Sequence, residues 1–364
     1  MNAKQKSLPI LLTCLICACL FCTPIWAGDN SEFFLLFNID ALHYTGVPNA
    51  PDADKNDLEA GVDLFYVYNW QNSRVLVEYF VGSEESELER LQYDYQLTDY
   101  TTVKVGRMYT PLGYWSTRFH HGIYFQTSVS RPQIVKNEDD GGILPVHITG
   151  VTLAGANRSS ASGWQYKVML GTVPNLFING DGEVELHPFD LLNPDKGTQN
   201  QPATVFKLYY ITNDTLQTDS GISVQVQKTG ASEVGLSWIR QNTVNLYSHL
   251  DFIDKRIIAS AFYVESRLVS PSGYESAGNF TNAYLQYEQD VFTHWTAYGR
   301  VENTWGGDKD PYLALFPAFI NRQVIAGLRY DLTENQALKL EYSDAKTVSD
   351  DFNSFTLQWS AIFP

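Results

Sequence analysis

The sequence contains very little cysteine, and none of it lies in the main part of the chain. The four cysteines among its 364 residues all fall between positions 14 and 22. Everything that follows residue 22 is therefore without a thiol and cannot form a disulfide. This distribution suits a protein that passes through an oxidising compartment, where a stray thiol is readily captured.

Long apolar runs are also missing, apart from one near the N terminus. Two lysines precede an apolar run over residues 8–21, and Ala27 closes the segment with a small side chain. This pattern is typical of a secretory signal peptide, so we predict that residues 1–27 are cleaved after Ala27. A membrane anchor is the first alternative, but the run is too short to span a bilayer. A lipoprotein signal acylated at Cys19 is the second.

No later segment carries enough consecutive apolar residues for a transmembrane helix, so this chain can span a membrane only as a closed β-barrel. Basic residues are scarce as well. The chain has 25 Lys and Arg against 41 Asp and Glu, which gives a formal net charge of −16. Binding to a phosphate backbone requires a basic surface, so nucleic acid is not an expected partner.

An alternation of apolar and polar residues runs through the rest of the chain. The last strand-like segment, NSFTLQWSAIF, is apolar at every second position, and GVDLFYVYN (61–69), NAYLQYEQD (282–290) and QALKLEYSD (336–344) repeat the pattern. Period-two alternation indicates strands whose two faces meet different environments. Segments of this length match tilted strands that cross a bilayer.

The connections between these segments alternate in length. Short polar turns alternate with long irregular segments, at 43–57, 109–146, 172–202, 269–279 and 305–320. We therefore predict an all-β fold over residues 28–364, an antiparallel transmembrane β-barrel with short periplasmic turns and long extracellular loops. About sixteen strands are expected, with 14 and 18 as alternatives because the region 213–268 is ambiguous.

Charged residues within the strands fall mainly on the parity opposite to the apolar one. Since so many strands enclose more space than side chains can fill, we expect lipid outside and a watery lumen inside. The predicted lumen charges are Asp63, Glu78, Arg90, Asp94, Lys104, Lys167, Lys207, Glu265, Arg267, Glu288, Arg300, Glu302, Arg329, Asp331, Lys339 and Glu341. Acids and bases balance in this set, so the overall negative charge does not predict cation selectivity.

The segment VKVGRMYTPLG (103–113) resembles the strand-to-loop segment of the porin superfamily that includes the phosphate-selective porins O and P. The resemblance implies a sixteen-stranded, trimeric diffusion channel whose third outside loop, here 109–146, folds inward and narrows the pore. The end of the chain resembles the C-terminal signal that the bacterial barrel-assembly machinery recognises, with Phe355, Leu357, Trp359 and Phe363 as its apolar positions.

The long third loop carries basic and acidic groups that are able to face each other across a constriction and select solutes by charge. A loop that plugs the barrel, with charges that are only solvated or paired, is the alternative. The candidate pore residues are Lys104 and Lys167 on the wall, with Arg107, Arg118, Arg131, Lys136, Glu138, Asp139 and Asp140. Members of the superfamily that select phosphate carry many more bases along the path, so a less selective channel is expected.

We therefore predict an outer-membrane porin for small hydrophilic solutes or ions, without enzymatic activity, cofactor or bound metal. Its expected partners are outer-membrane lipid, lipopolysaccharide, the barrel-assembly machinery and two further copies of itself. A channel specific for a saccharide is the first alternative. A barrel-embedded hydrolase is the second, from histidines 120, 121 and 147 with serines 116, 128 or 130, although no Gly-x-Ser-x-Gly segment surrounds these serines.

Overall fold

The structure is a computed structural model. It describes residues 30–45, 56–83, 86–119, 123–138, 141–157, 162–179, 182–187, 201–213 and 216–364. The predicted signal peptide, residues 1–27, lies outside the described residues.

Within the described residues, sixteen antiparallel strands form one closed barrel, and two short strands, Asn175–Ile178 and Val184–His187, form a separate hairpin. The last strand pairs with the first to close the sheet. The strands are β1 Ser31–Thr45, β2 Asn56–Trp70, β3 Ser73–Gly82, β4 Ser86–Thr98, β5 Thr101–Tyr109, β6 His147–Ala156, β7 Gly163–Val173, β8 Asn175–Ile178, β9 Val184–His187, β10 Gln201–Asn213, β11 Gln217–Gly230, β12 Trp238–Asp251, β13 Lys255–Val269, β14 Glu275–Phe292, β15 Trp295–Trp305, β16 Arg322–Thr333, β17 Gln336–Lys346 and β18 Asp351–Phe363.

The predicted fold class is confirmed, and the strand number is sixteen. The ambiguous region 213–268 contains all of β11 and β12, and all of β13 except its last residue, Val269. The expectation of a long loop over 269–279 is wrong, because β14 begins at Glu275 and pairs with β13 as far as Val269. Gly278 and Asn279 favour a turn, but both lie in β14 because their backbone pairs with Ser266 and Glu265 of β13.

Helical structure in the described residues is confined to loops. It consists of one short α-helix, α1 (Trp115–Arg118), and single-turn 3₁₀-helices at Gln133–Val135, Gly307–Lys309 and Leu313–Leu315. None of the helices in the described part of the chain has the length and apolar character needed to cross a membrane.

The two ends of the barrel differ. Turns at 71–72, 99–100, 252–254, 293–294 and 334–335 define one end, called here the short-turn end. The opposite, long-loop end carries connections such as 110–146 and 306–321. Aromatic pairs surround the short-turn end, among them Trp70–Tyr93, Trp164–Tyr210 and Trp295–Tyr330 with ring centroids 5.9, 5.3 and 4.6 Å apart. Such girdles are typical of the interface between lipid and water.

The outward face carries large apolar side chains in contact with the surroundings. Leu246, Leu340 and Leu357 expose 56, 50 and 52% of their surface. Their neighbours along the same strands, such as Lys339 and Gln358, point inward and are buried. The barrel is thus apolar outside and polar inside. Phe355, Leu357, Trp359 and Phe363 share the outward parity of β18, and their recognition by the assembly machinery remains a prediction.

Two of the predicted lumen charges lie on the wrong face. Glu265 and Arg267 are exposed on the outward side of β13, next to Tyr263. The inward side of this strand instead carries Phe262 and Val264, which are buried. The inward face of β13 is apolar because it packs against a loop inside the barrel. Since both faces of the strand therefore carry apolar residues, alternation alone assigns Glu265 and Arg267 to the wrong face.

That loop brings an apolar cluster into the barrel. Trp115, Ile134 and Ile143 of the segment 110–146 pack with Tyr312 of the segment 306–321 against Phe262 on the wall. The further members of this buried cluster come from the wall strands β10 and β12–β14, the hairpin strands β8 and β9, and these same two segments, with one alanine beside them. The interior is therefore partly filled by packed side chains, and its remaining space is polar.

We predict that Leu340→Arg lowers the free energy of unfolding by about 2–4 kcal/mol, because a guanidinium is placed in the apolar belt. Reversible guanidinium unfolding in phospholipid vesicles measures this change. Thr102→Arg is the matched control, since Thr102 faces inward on β5 and the new charge meets water there. Equal destabilisation by the two substitutions contradicts the assignment of faces.

Candidate functional site

The segment 110–146, called here the inner loop, runs inside the barrel from one end to the other. It leaves β5 at the long-loop end, and Tyr124 then donates a hydrogen bond of 2.5 Å to the carbonyl oxygen of Glu334. Glu334 belongs to the turn 334–335 at the short-turn end. The loop therefore crosses the depth of the barrel before it returns to β6.

Buried carboxylates on the wall hold the inner loop by its backbone. The carboxylate of Glu341 accepts hydrogen bonds from the amides of Val129 and Ser130 at 2.9 and 3.1 Å. Glu302 accepts one from the amide of Gln133 at 3.0 Å. Hydrogen bonds to an ionised acceptor are stronger than neutral ones. These contacts fix the middle of the loop against β15 and β17.

Basic side chains on the wall bind the carbonyl groups of the same loop. Lys339 donates to the carbonyl of Ile123 at 2.5 Å, and Arg329 donates to that of Tyr124 at 2.6 Å. Arg300 donates to the carbonyls of Ser130 and Arg131, both at 2.9 Å, and Lys207 donates to that of Gly113 at 2.6 Å. Many predicted lumen charges are thus anchors for the loop rather than free groups.

Two of the candidate pore residues, Arg107 and Glu138, lie in a buried cluster at the root of the inner loop. Glu138 accepts hydrogen bonds from the amides of Val146 and His147 at 2.7 and 3.1 Å, and Nδ1 of His147 lies 2.9 Å from its carboxylate. Arg107 donates to the carbonyl of Glu89 at 3.1 Å. Because Arg107 and Glu138 are only 3 and 2% exposed, solutes do not reach them, and we omit them from the proposed pore lining.

Arg107 is buried because β5 departs from regular alternation at Gly106. Gly106 has φ +131, and a Cβ at this position would collide with the carbonyl oxygen of Leu91. As a result, Arg107 and Met108, which follow each other in the chain, are both buried. No side-chain pattern in the sequence signals this change of direction.

The other predicted loop charges differ from one another in burial and in their partners. Arg131 is buried and donates to Asn137, and Lys136 is half-buried. Asp139 and Asp140 lie outside the described residues. Arg118 keeps half of its side chain exposed, and it pairs with Asp219 at 3.2 Å. Burial is the largest single effect and favours a lower pKa for Arg118, but Asp219, Tyr114 and Tyr209 together raise this pKa, so the guanidinium stays charged.

A cavity of about 210 Å³ lies between the inner loop and the wall formed by β3–β7. Arg74, Arg90, Lys104 and Lys167 line it, so the two predicted wall bases are brought together with two further bases. Lys104 pairs with Asp94 at 2.9 Å. Arg90 pairs with Glu78, a residue that is fully buried. This cavity, called here the basic cavity, therefore has a positive side facing open space.

Sequence reasoning did not select Arg74 and Arg90 as pore residues. Arg90 has the inward parity, which predicts a lumen position but no particular role. Arg74 is the second residue of β3, and this position at a strand end gives only a weak signal. The register Arg74–Asp94–Lys104 across β3, β4 and β5 brings these groups together, and this pairing is not readable from the separate segments.

A second cavity, of about 600 Å³, lies at the short-turn end. It is bordered by the wall from β12 to β16 and by the first half of the inner loop, and its lining mixes aromatic rings with ionised groups. The lining residues that matter below are Tyr114, Phe119, Phe125, Trp295, Asp251, Asp290, Arg256 and Arg329. We call it the aromatic cavity.

The hydrolase alternative gains no support from the described histidine. Both ring nitrogens of His147 lie within 3 Å of carboxylates, Nδ1 at 2.9 Å from Glu138 and Nε2 at 2.8 Å from Glu89. The hydroxyl of Ser130 accepts a hydrogen bond from Arg300 at 2.9 Å. Histidines 120 and 121 lie outside the described residues. In the part of the chain that is described, no group of acidic, histidine or cysteine residues is arranged to hold a metal ion.

No protein-family model and no curated protein matches this sequence. Solved structures of outer-membrane proteins do match. OmpF of Salmonella typhi, solved with daunomycin, has a TM-score of 0.59 and 10% identity over 93% of this chain and 99% of its own. The chain has the porin fold.

Two further solved structures agree. The anion-selective porin of Comamonas acidovorans gives a TM-score of 0.59 and 11% identity over 92% of this chain and 99% of its own. The outer-membrane channel DcaP of Acinetobacter baumannii gives 0.57 and 12% over 92 and 97%. Identities this low show the fold alone, so membership of the phosphate-selective superfamily remains a prediction.

We predict that Glu341→Ala loosens the middle of the inner loop, because it leaves the amides of Val129 and Ser130 without their acceptor. An unpaired buried amide costs roughly 1–3 kcal/mol. Hydrogen exchange at these two amides should rise at least tenfold, as measured by mass spectrometry. Glu265→Ala is the control, because it removes an outward-facing carboxylate. Unchanged protection at Val129 and Ser130 contradicts the anchoring role.

Proposed function

We propose that this protein is an outer-membrane porin, a water-filled channel through which small hydrophilic solutes diffuse without covalent chemistry. One observation carries the proposal: a closed barrel, apolar on its outer face, holds an inward-folded loop that leaves polar cavities on both sides. Backbone groups are paired throughout such a sheet, as the hydrocarbon core requires. The inner loop narrows the lumen and determines which solutes pass.

The basic cavity supports a preference for anions. Four basic side chains line a narrow, partly enclosed space, and the protein walls around it concentrate the field. Asp94 and Glu78 neutralise part of this charge, because they pair with Lys104 and Arg90. We therefore propose a moderate anion preference rather than a phosphate-specific site.

We also propose the cellular setting that the sequence implies. A signal peptide over residues 1–27 directs export, and the apolar positions of β18 are read by the barrel-assembly machinery. The outer-membrane lipid then surrounds the apolar belt, and three copies assemble. The belt and the aromatic girdle support the lipid contact.

Planar-bilayer recording of the purified protein tests the channel proposal. Stepwise conductance increases are expected when the protein is added in detergent, with a reversal potential in a salt gradient that indicates anion preference. Heat-denatured protein is the control. Absence of any conductance from folded barrels points instead to a plugged, structural barrel.

We predict that Lys104→Gln combined with Lys167→Gln shifts the reversal potential toward cation selectivity, because half of the basic lining is removed. Lys255→Gln combined with Lys346→Gln is the matched control, since both lysines are exposed away from the lumen. The control should leave the reversal potential unchanged. Equal shifts in the two double variants indicate a general surface-charge effect and contradict the role of the basic cavity.

A saccharide channel is the second candidate, and the aromatic cavity favours it. Sugars bind where aromatic faces stack on the ring and ionised groups bond to the hydroxyls, and Phe125 is half-exposed beside Asp290 and Arg256. If this candidate is correct, a neutral trisaccharide blocks single-channel current in a concentration-dependent way. Phe125→Ala should then weaken the block at least several-fold. A general pore shows no such block.

A further inference from the structure

Three bases stand side by side on the outer wall of the barrel. Lys228 on β11 is directly opposite Arg240 on β12, and Arg240 is directly opposite Arg267 on β13. Neighbouring strands lie about 5 Å apart, so the three side chains form a short row across the outside of the sheet. We call it the basic row. It is distinct from the basic cavity, because these residues share the outward parity of Tyr263 and Leu246.

The basic row lies where the apolar belt ends. Toward the short-turn end, the next outward positions are Val226, Asn242 and Glu265, and the level after them carries Val224, Val244 and Tyr263. Toward the long-loop end, the strands stop two residues further on, at Gly230, Trp238 and Val269. In an outer-membrane barrel this level corresponds to the polar headgroups of the outer leaflet.

The charges around the row leave its centre open. Three like charges directly opposite each other repel and destabilise a sheet unless they are compensated. Arg267 is compensated by Glu275 at 3.3 Å, and the ammonium of Lys228 lies 4.8 Å from the ring centre of Trp238. Arg240, between them, has no hydrogen-bond or ion-pair partner within the described residues.

The neighbouring acid does not fill that gap. Glu265, one step below Arg267 on the same face, accepts a hydrogen bond from the side chain of Asn242 at 3.1 Å. Its carboxylate is thus directed to Asn242, and no ion pair joins it to Arg240 within the described residues. An anion bound between Lys228, Arg240 and Arg267 would relieve their repulsion.

We propose that the basic row binds the phosphate group of a glycolipid in the outer leaflet. A phosphate accepts charge-assisted hydrogen bonds from two guanidinium groups and one ammonium, and arginine matches its oxygens in a bidentate way. Val226 and the apolar level formed by Val224, Val244 and Tyr263 are placed to contact the acyl chains of the same molecule. Trp238, half-buried at the rim, is suited to the boundary between headgroup and chain. This proposal rests on the proposed outer-membrane location.

Binding of diphosphorylated lipid A to the detergent-purified protein tests the proposal, with native mass spectrometry as the readout. The triple variant Lys228→Gln, Arg240→Gln, Arg267→Gln should bind lipid A at least tenfold more weakly than the unmodified protein. Arg240→Gln alone should account for most of the loss, because Arg240 is the uncompensated base.

The matched control is Lys255→Gln, Lys309→Gln, Lys346→Gln, which removes the same charge from exposed positions outside the row. It should bind lipid A as the unmodified protein does. Dephosphorylated lipid A should bind equally weakly to the unmodified protein, the triple row variant and the control variant. Undiminished binding by the row variant, or an equal loss in the control, overturns the proposal.

Inorganic phosphate distinguishes a lipid site from a site for the free ion. Millimolar phosphate should compete only weakly with lipid A, since it lacks the acyl chains. Competition by phosphate at the concentration of lipid A itself overturns the lipid assignment. Conductance of the row variant should be unchanged, which shows that it is folded and separates this proposal from the channel proposal.

Discussion

Closure of the sheet between its first and last strands is the constraint on which the other features depend. β1 and β18 pair from Leu35 opposite Phe363 to Thr45 opposite Asn353, so the barrel has no free edge along this seam. In hydrocarbon, an unpaired backbone group cannot be hydrated, and an open edge is therefore not tolerated. Because a ring of this many strands is wider than its side chains can fill, the interior needs a further element. The inner loop is that element.

The wall divides its charges between two tasks. On the side of β14–β17, Glu341, Glu302, Arg300 and Lys339 bond to the backbone of the inner loop and fix its path. On the side of β3–β7, the bases around the basic cavity face open space. A charge on the lumen wall is therefore not in itself a selectivity group. The position of the loop decides which charges remain available to a solute.

The barrel itself was readable from the sequence, because alternation and connection lengths are local properties. The same reasoning placed Lys104 and Lys167 on the lumen wall, where the structure finds them together. It failed at β13, where Phe262 and Val264 turn an apolar face inward toward the loop. It also failed at Arg107, whose direction depends on the backbone of Gly106, and at Glu138, whose partners come from the root of the loop. The error at β13 arises from contacts between segments that are distant in the sequence, and the other two arise from local backbone geometry that side-chain alternation does not encode.

The central claim, that the apolar face meets lipid and the charged face meets water, is tested most directly by two adjacent single cysteines. The chain has no cysteine after residue 22, so Lys104→Cys and Val105→Cys in a product beginning at residue 28 each carry one thiol. In vesicles, the cysteine at 104 should react with a membrane-impermeant maleimide. The cysteine at 105, an outward position that is 46% exposed, should resist it, and a fluorophore there should be quenched by brominated lipid. Equal reaction at both positions, or quenching at 104 instead of 105, contradicts the account.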